Sequence, residues 1–180
     1  GRTWPMALAT TFGPVEVDLH AAIVDAPWCH PSVDALLRDA IADGAPLPMT
    51  RAADTLVHTA IHLIENGLRQ PLKHWVDLDR LARVVDPHLA AERARIHGAR
   101  TALWMGLHVA RRWLATPCVP TMDALGRPRH AALLEAMLTG DLATPHRRPL
   151  ERGPARHLAR VLAADGVRAR VRYIGWALAR

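Results

Sequence analysis

The stretch ADTLVHTAIHLIEN, residues 53–66, decides the class of fold. Its apolar side chains fall at positions 53, 56, 57, 60, 61, 63 and 64, a spacing that places them on one face of an α-helix. Gly67 follows the stretch, and a glycine just past the last apolar position is a common helix end. Residues 53–66 are therefore predicted to form an amphipathic helix, with Thr50 as its N-cap.

Comparable helical patterns continue on both sides of this stretch. Ser32 is the predicted N-cap of a preceding helix that reaches about Asp43. The pair Asp86-Pro87 supplies a cap and a first-turn proline for a later helix. The segment 117–128 is predicted to be a loop because of its Pro and Gly residues. We expect six to eight helices in all, the others covering about 73–85, 99–114, 129–138, 155–164 and 167 to the end.

The N-terminal residues carry a β-strand pattern instead. Residues 3–11 are apolar and rich in Thr, a Phe-Gly-Pro turn follows at 12–14, and VEVDLH at 15–20 alternates apolar and polar positions. We therefore predict an α+β fold that is predominantly α-helical, with a short N-terminal pair of β-strands before a helical domain. The predicted division is 1–30 and 31–180.

Three ionisable side chains share one face of the predicted strand VEVDLH. Side chains alternate along a strand, so Glu16, Asp18 and His20 lie opposite the apolar positions between them. Either this face is solvated or it lines a metal or phosphate site. Carboxylates at this spacing suit Mg²⁺, which takes oxygen ligands, although a single strand does not supply a complete site.

The net charge of +6 on this chain of 180 residues is unevenly distributed. Residues 1–92 hold 12 acidic and 7 basic side chains, a balance of −5, whereas residues 93–180 hold 5 acidic and 16 basic ones, a balance of +11. A basic half can steer a polyanion such as a nucleotide or RNA. Alternatively, the arginines cover helix surfaces with their long stems.

The cysteines and the hydropathy pattern bear on location. Cys29 and Cys118 are too few for a disulfide framework, and they predict a reducing, cytoplasmic location. No apolar run approaches the roughly 18 residues that cross a membrane, so no membrane partner is expected.

Two histidines, His58 and His62, lie four residues apart on the central helix. This spacing can bind zinc, but Thr59 stands where the metalloprotease pattern requires Glu. The alternative is a hydrogen bond from His62 to a carboxylate of the next helix, with Asp77 as the predicted partner. No Gly-rich phosphate loop and no Ser/His/Asp arrangement stands out, and the Trp residues are predicted to pack in the core.

Five stretches follow one another along the chain: VEVDLHAAI (15–23), TRAADTLVHTAIHLIENG (50–67), LKHWVDLDRLARVVD (72–86), ARIHGARTALWMGLHVARRWLATPCVP (94–120) and GVRARVRYIGWAL (166–178). In this order and spacing the chain resembles the poorly characterised bacterial nucleotidyltransferase-like proteins, which often accompany natural-product gene clusters. The resemblance covers about residues 10–176.

The resemblance implies a nucleotidyltransferase fold of the DNA polymerase β type, in which residues 1–30 supply the C-terminal strands of the sheet. Asp18 matches the third acidic position of that family, which joins an Asp-x-Asp pair around Mg²⁺, and His20 matches the histidine of the same motif. Asp18 and His20 are therefore the predicted catalytic residues, and Asp18 and Glu16 the predicted metal ligands. The implied reaction is Mg²⁺-dependent transfer of a nucleoside monophosphate from a nucleoside triphosphate to an unknown acceptor, which is a small molecule, a peptide or a protein.

The family's Gly-Ser turn followed by an Asp-x-Asp pair is not found in these 180 residues. The triplet DLD at 77–79 has the letters of the pair, but it lies within a predicted helix after the strand VEVDLH, in the wrong place and order. We expect the catalytic half of the enzyme to lie upstream of Gly1, and this portion to be inactive by itself. The alternative function is a non-enzymatic helical module that binds an anionic partner through the Arg-rich second half. Nucleic acid is a possible but not a favoured partner.

Overall fold

The fold is described from a computed structural model. It describes residues 3–10, 13–20, 27–31, 33–40, 49–68, 70–142 and 154–179, with the backbone alone in the strands and at 137–142 and 154–156. Within these ranges, no helix is long and apolar enough to cross a membrane. The elements are β1 (Thr3–Thr10), β2 (Gly13–His20), α1 (Val33–Arg38), α2 (Ala52–Glu65), α3 (Leu72–Val84), α4 (Pro87–Ile96), α5 (Arg100–Leu114), α6 (Val119–Leu125), α7 (Ala131–Leu142), α8 (Pro154–Ala163) and α9 (Val167–Leu178).

Helix α2 is central to the fold, and the predominantly helical class is confirmed. Every apolar position of its predicted stripe is buried, and it packs against α3, α4, α5 and α8. Gly106 of α5 lies where the two helices approach, and a Cβ added there would be 3.4 Å from the Cβ of Ala60. The missing side chain lets the two helices lie close together.

The end of α2 is at the predicted place. Gly67 has a φ of 63°, and its amide donates to the carbonyl oxygen of Ile64 at 3.0 Å. The amide of Leu68 donates to the carbonyl oxygen of Leu63 at 2.7 Å. This pair of bonds is the Schellman arrangement, which satisfies carbonyl groups that the last helical turn leaves free.

The start of α2 differs from the prediction by one residue. Arg51 occupies the N-cap position without a side-chain hydrogen bond. Thr50 lies one residue before the cap, and its hydroxyl is 2.9 Å from the hydroxyl of Thr55. The cap of α4 is confirmed, since the Asp86 carboxylate accepts a hydrogen bond from the Leu89 amide at 2.8 Å.

Two other boundary predictions are wrong. The segment 117–128 contains α6, with Pro120 in its first turn and Gly126 at its end. A first-turn proline costs no hydrogen bond, so the described ranges hold nine helices instead of six to eight. Helix α1 stops at Arg38, and the carboxylate of the next residue, Asp39, accepts a hydrogen bond from Arg93 at 2.7 Å.

The two strands pair antiparallel, with Thr3 opposite His20 and Thr10 opposite Gly13. Their side chains, and whatever they pack against, lie outside the described residues. Their assignment to a nucleotidyltransferase sheet and the division at residue 30 stay predictions. Trp28 and Cys29, which follow the strands, are buried in the helical core.

Candidate functional site

The strand face predicted to be the site belongs to β2, which pairs with β1. Glu16, Asp18 and His20 occupy alternate positions of β2, so the backbone alternation puts them on one face. Their register partners on β1 are Ala7, Pro5 and Thr3, respectively. The neighbouring strand therefore adds no carboxylate beside them, and the predicted metal and catalytic roles of the three residues stay predictions.

The histidines of α2 approach another histidine and not the predicted carboxylate. The ring of His62 lies 5.3 Å from that of His74 on α3 and 6.5 Å from that of His58, measured between centroids. Asp77 is exposed, so the structure gives no support for the predicted pair of His62 and Asp77. The side chains of His74 and Asp77 are three residues apart on α3, and it is His74 that the crossing of α2 and α3 brings to His62.

The structure gives no support for a zinc centre within the ranges it describes. There, no group of three or more His, Cys, Asp or Glu side chains is arranged to hold a metal ion. His58 is exposed and His62 is partly exposed. For the Trp residues the packing interpretation is confirmed at Trp28, Trp75 and Trp104, which are all buried, but it is wrong for Trp113, which is 45% exposed.

A buried charged cluster joins α2 to α4. The carboxylate of Asp54 accepts hydrogen bonds from Arg93 Nε at 2.6 Å and from His97 Nε2 at 3.0 Å. Arg93 Nη1 also donates to Asp39 at 2.7 Å. Burial by itself lowers the pKa of Arg93, but the hydrogen bonds to the two carboxylates outweigh it and raise that pKa. Arg93 is thus a permanent cation in this cluster.

Unused hydrogen-bonding capacity remains within the cluster. Arg93 Nη2 and His97 Nδ1 are buried and have no hydrogen-bond partner in the described part of the chain. A sequence signal for this cluster exists, because Asp54 precedes Val57 and Ile61 by three and seven residues and so shares their buried face. A carboxylate in that position needs a partner, although the spacing does not say which one.

A second ion pair, between the buried Arg160 and the partly buried Glu65, joins α8 to the end of α2. Arg160 Nη2 donates to the carboxylate of Glu65 and, at 2.7 Å, to its backbone carbonyl oxygen. The indole Nε1 of Trp28 donates to the other oxygen of the same carboxylate. Three distant parts of the chain therefore meet at Glu65.

The thiols of both cysteines are buried and free. Burial, assisted by the charges of Glu65 and Asp165, raises the pKa of Cys29. Burial likewise raises the pKa of Cys118. Nucleophilic catalysis needs the thiolate, so neither cysteine has the chemistry of a nucleophile.

His108 of α5 makes the stability of the fold depend on pH. Its ring stacks on Trp104, with centroids 5.2 Å apart. Burial lowers its pKa, against the charge of Glu135 and together with the charges of Arg111, Arg112 and Arg127. The folded state then binds fewer protons than the unfolded state, whose His pKa is about 6.5, so stability rises with pH through this region and falls on acidification.

We expect His108→Gln to flatten the dependence of the free energy of unfolding on pH between about pH 5 and 7. Urea unfolding at several pH values measures this slope. His88→Gln is the matched control, because His88 is exposed on α4. The burial of His30, with the charge of Arg172, lowers the pKa of His30 too, so a smaller slope remains in the variant. An unchanged slope in His108→Gln would contradict the assignment.

The chain is similar to a known protein family over more than half of its length. The model of a family described as uncharacterised nucleotidyltransferases matches residues 9–115, more than half of the chain. The chain belongs to this family. The match begins in β1, includes all of β2 and ends directly after α5. No curated protein and no solved structure matches the chain.

Family membership confirms the resemblance found in the sequence, but the family match covers residues 9–115 and not the whole of 10–176. The part of the chain that matches the nucleotidyltransferase family contains the strand VEVDLH and the buried charged cluster around Asp54. Helices α6 to α9 lie beyond residue 115, and the match does not cover them. The pair of Arg160 and Glu65 joins this second part to the first.

Proposed function

We propose that this chain is part of a nucleotidyltransferase that transfers a nucleoside monophosphate from a nucleoside triphosphate to an acceptor in a Mg²⁺-dependent reaction. The observation that carries the proposal is the family match over residues 9–115. The matched range includes the strand on which Glu16, Asp18 and His20 occupy alternate positions.

The donor set of the strand fits magnesium. Glu16 and Asp18 offer carboxylate oxygens, the ligands that Mg²⁺ prefers. The bound ion would neutralise charge on the phosphates of the nucleotide. No Gly-Ser turn with an Asp-x-Asp pair precedes the strand in these residues. The triplet Asp77-Leu78-Asp79 lies on helix α3, after the strand, so the proposed site needs further carboxylates beside Glu16 and Asp18.

In the proposed reaction the functional residues of this chain lie on the strand face of β2. Asp18 and Glu16 would hold the metal, and His20 lies at the next position of the same face. In the reaction the acceptor hydroxyl oxygen bonds to the α-phosphorus and the bond to the bridging oxygen breaks. Pyrophosphate leaves with that oxygen, and the hydroxyl proton passes to solvent or to a base.

Asp18→Asn tests the proposal in the full product of the gene. We expect it to weaken Mg²⁺-dependent binding of nucleoside triphosphates by at least about tenfold, because loss of even an outer partner of a metal site has an effect of that size. Calorimetric titration with each of the four triphosphates, with Mg²⁺ and with EDTA, measures the change.

The matched control for this titration is Asp77→Asn, because Asp77 is exposed on α3. It removes the same charge and should leave binding unchanged. Triphosphate binding that needs Mg²⁺ but survives Asp18→Asn would contradict the assignment of Asp18. Absence of Mg²⁺-dependent binding in the wild type would contradict the proposed function itself.

The second candidate is a non-enzymatic helical module for an anionic partner. The observation that favours it is the net charge of +11 over residues 93–180, which contain 16 basic and 5 acidic side chains. Arg147, Arg148 and Arg152, which carry this hypothesis, lie outside the described residues. Salt-sensitive binding of a polyanion that ignores Asp18→Asn and is lost when these three arginines become Gln would favour this candidate over the enzyme.

A further inference from the structure

A basic cleft lies far along the chain from the strand face. It is formed by the start of α5, the loop between α6 and α7, and the turn between α8 and α9, and its volume is about 410 Å³. This volume is within the usual range for small-molecule sites. Its charged and polar lining includes Arg100, Arg127, Arg129, His130, Asp165 and Arg170.

Backbone carbonyl groups hold two of the four arginines in place. Arg100 donates through Nε, at 3.2 Å, and through Nη2 to the carbonyl oxygen of Leu125. Arg170 Nε donates to the carbonyl oxygen of Ala164 at 3.2 Å. Each guanidinium has five N–H donors, so both keep donors beyond those used here. A neutral carbonyl positions the cation without cancelling its charge.

The other two arginines are on the loop after α6. Arg127 forms an exposed ion pair with Glu135 at 2.9 Å. Arg129 is exposed, and no hydrogen bond or ion pair joins it to another residue of the described part. His130, beside them, has Nε2 at 2.7 Å from the carbonyl oxygen of Leu162, to which it donates. Its Nδ1 lies 3.4 Å from Arg170 Nη2 and accepts there.

The single carboxylate in this lining is already engaged. Asp165 accepts hydrogen bonds from the amides of Arg100 and Thr101 at 2.6 and 3.1 Å, and from the Thr101 hydroxyl at 2.7 Å. These bonds cap the start of α5. Four guanidinium groups thus line the cleft against one carboxylate that is directed to the helix.

The start of α9 adds uncapped amides to the same cleft. Gly166 is its N-cap, at φ 85° and ψ 161°, and within the described ranges no side chain caps its first turn. That conformation is essentially restricted to glycine, and a Cβ added there would meet nothing within 4 Å. The first amides of a helix carry partial positive charge and bind anions.

We propose that this cleft binds the phosphoryl group of a small molecule. The proposal goes beyond the nucleotidyltransferase site, because most of the lining follows residue 115 and so lies outside the family match. It does not depend on Mg²⁺ or on the strand face. A phosphoryl group matches the forked donors of arginine, which bind it by charge-assisted hydrogen bonds.

The test is a calorimetric titration of the full chain with inorganic pyrophosphate in EDTA. We expect Arg129→Gln to weaken binding about tenfold, the size of effect that loss of one charged hydrogen bond produces. Arg127→Gln is the second variant, with a smaller expected loss because Arg127 is shared with Glu135. Melting temperatures check that both variants are folded.

Arg112→Gln is the matched control, because Arg112 is exposed on α5 and lies about 18 Å along that helix from Arg100. It should change the pyrophosphate affinity less than twofold. If Arg112→Gln weakens binding as much as Arg129→Gln, a general positive field explains the binding and the proposal fails. Absence of binding at millimolar pyrophosphate also overturns it.

Two further titrations extend the test. One distinguishes a nucleotide from a free phosphoryl group as the ligand, and the other distinguishes the cleft from the strand face as the binding site. ATP that binds in EDTA more tightly than pyrophosphate assigns the cleft to a nucleotide, whereas equal binding assigns it to the phosphoryl group alone; both results support the proposal. Asp18→Asn should leave pyrophosphate binding unchanged. Binding that disappears in Asp18→Asn would put the ligand at the strand face and overturn the proposal, without affecting the proposed function.

Discussion

Asp54→Ala is expected to lower the free energy of unfolding by about 3–5 kcal/mol, the effect of removing one partner from a buried ion pair. The Asp54 side chain is almost completely inaccessible. Without it, Arg93 keeps only Asp39, and His97 loses the acceptor of its Nε2. Arg93 Nη2 and His97 Nδ1 already have no partner in the described residues, so the substitution increases an existing deficit.

Urea unfolding measures this loss, with Asp77→Ala as the control. Asp77 is exposed on α3, and surface substitutions usually stay within about 0.5 kcal/mol. Asp54→Asn keeps the shape and one acceptor oxygen, and we expect it to fall between the wild type and Asp54→Ala. If Asp54→Ala unfolds at the same urea concentration as Asp77→Ala, the cluster does not stabilise the contact between α2 and α4.

Arg160→Ala is expected to destabilise the chain by about 3–5 kcal/mol for a related reason. Arg160 is one of the few buried cations among the described residues. In the variant its partner Glu65, which is partly buried beside Trp28, has one charged donor fewer. This contact links α8 to α2. Its loss therefore removes a link between a helix outside the family match and one inside it.

The readout for Arg160→Ala is hydrogen exchange together with urea unfolding. We expect exchange to increase in both α2 and α8, because they share the pair. Arg168→Ala is the control, since Arg168 is exposed on α9, and Arg160→Met keeps the apolar stem while removing the charge. Faster exchange confined to α8, with α2 unchanged, would mean that residues beyond 115 fold independently of the family region.

The helices between residues 50 and 115 are predictable because each carries its own pattern and its own end. The stripe in 53–66 is local, and Gly67 and Asp86 act within one turn of the helix that they terminate or cap. Helix α6 is missed because it contains Pro120 and lies between Pro117 and Pro128, and prolines are typical of loops. Pro120 is nevertheless compatible with a first turn, and packing of Leu125 into the core supplies the rest.

The candidate site is predictable only in its residue types. Alternation along a strand groups Glu16, Asp18 and His20 without any knowledge of the fold, and the family match covers that strand. The partner of His62 is not predictable in this way. Spacing offered Asp77, but the crossing of α2 and α3 brings His74 to it.

The sequence by itself determined the helical class, most helix boundaries and the family, because these depend on patterns within a few turns and on their order. Only the tertiary structure decided that Asp54 meets Arg93 and His97, 39 and 43 residues away, and that Arg160 meets Glu65 across 95. It also decided that four arginines line one cleft. Such meetings depend on the angles at which helices cross, and those angles are set by all the packed side chains together, so no single stretch encodes them.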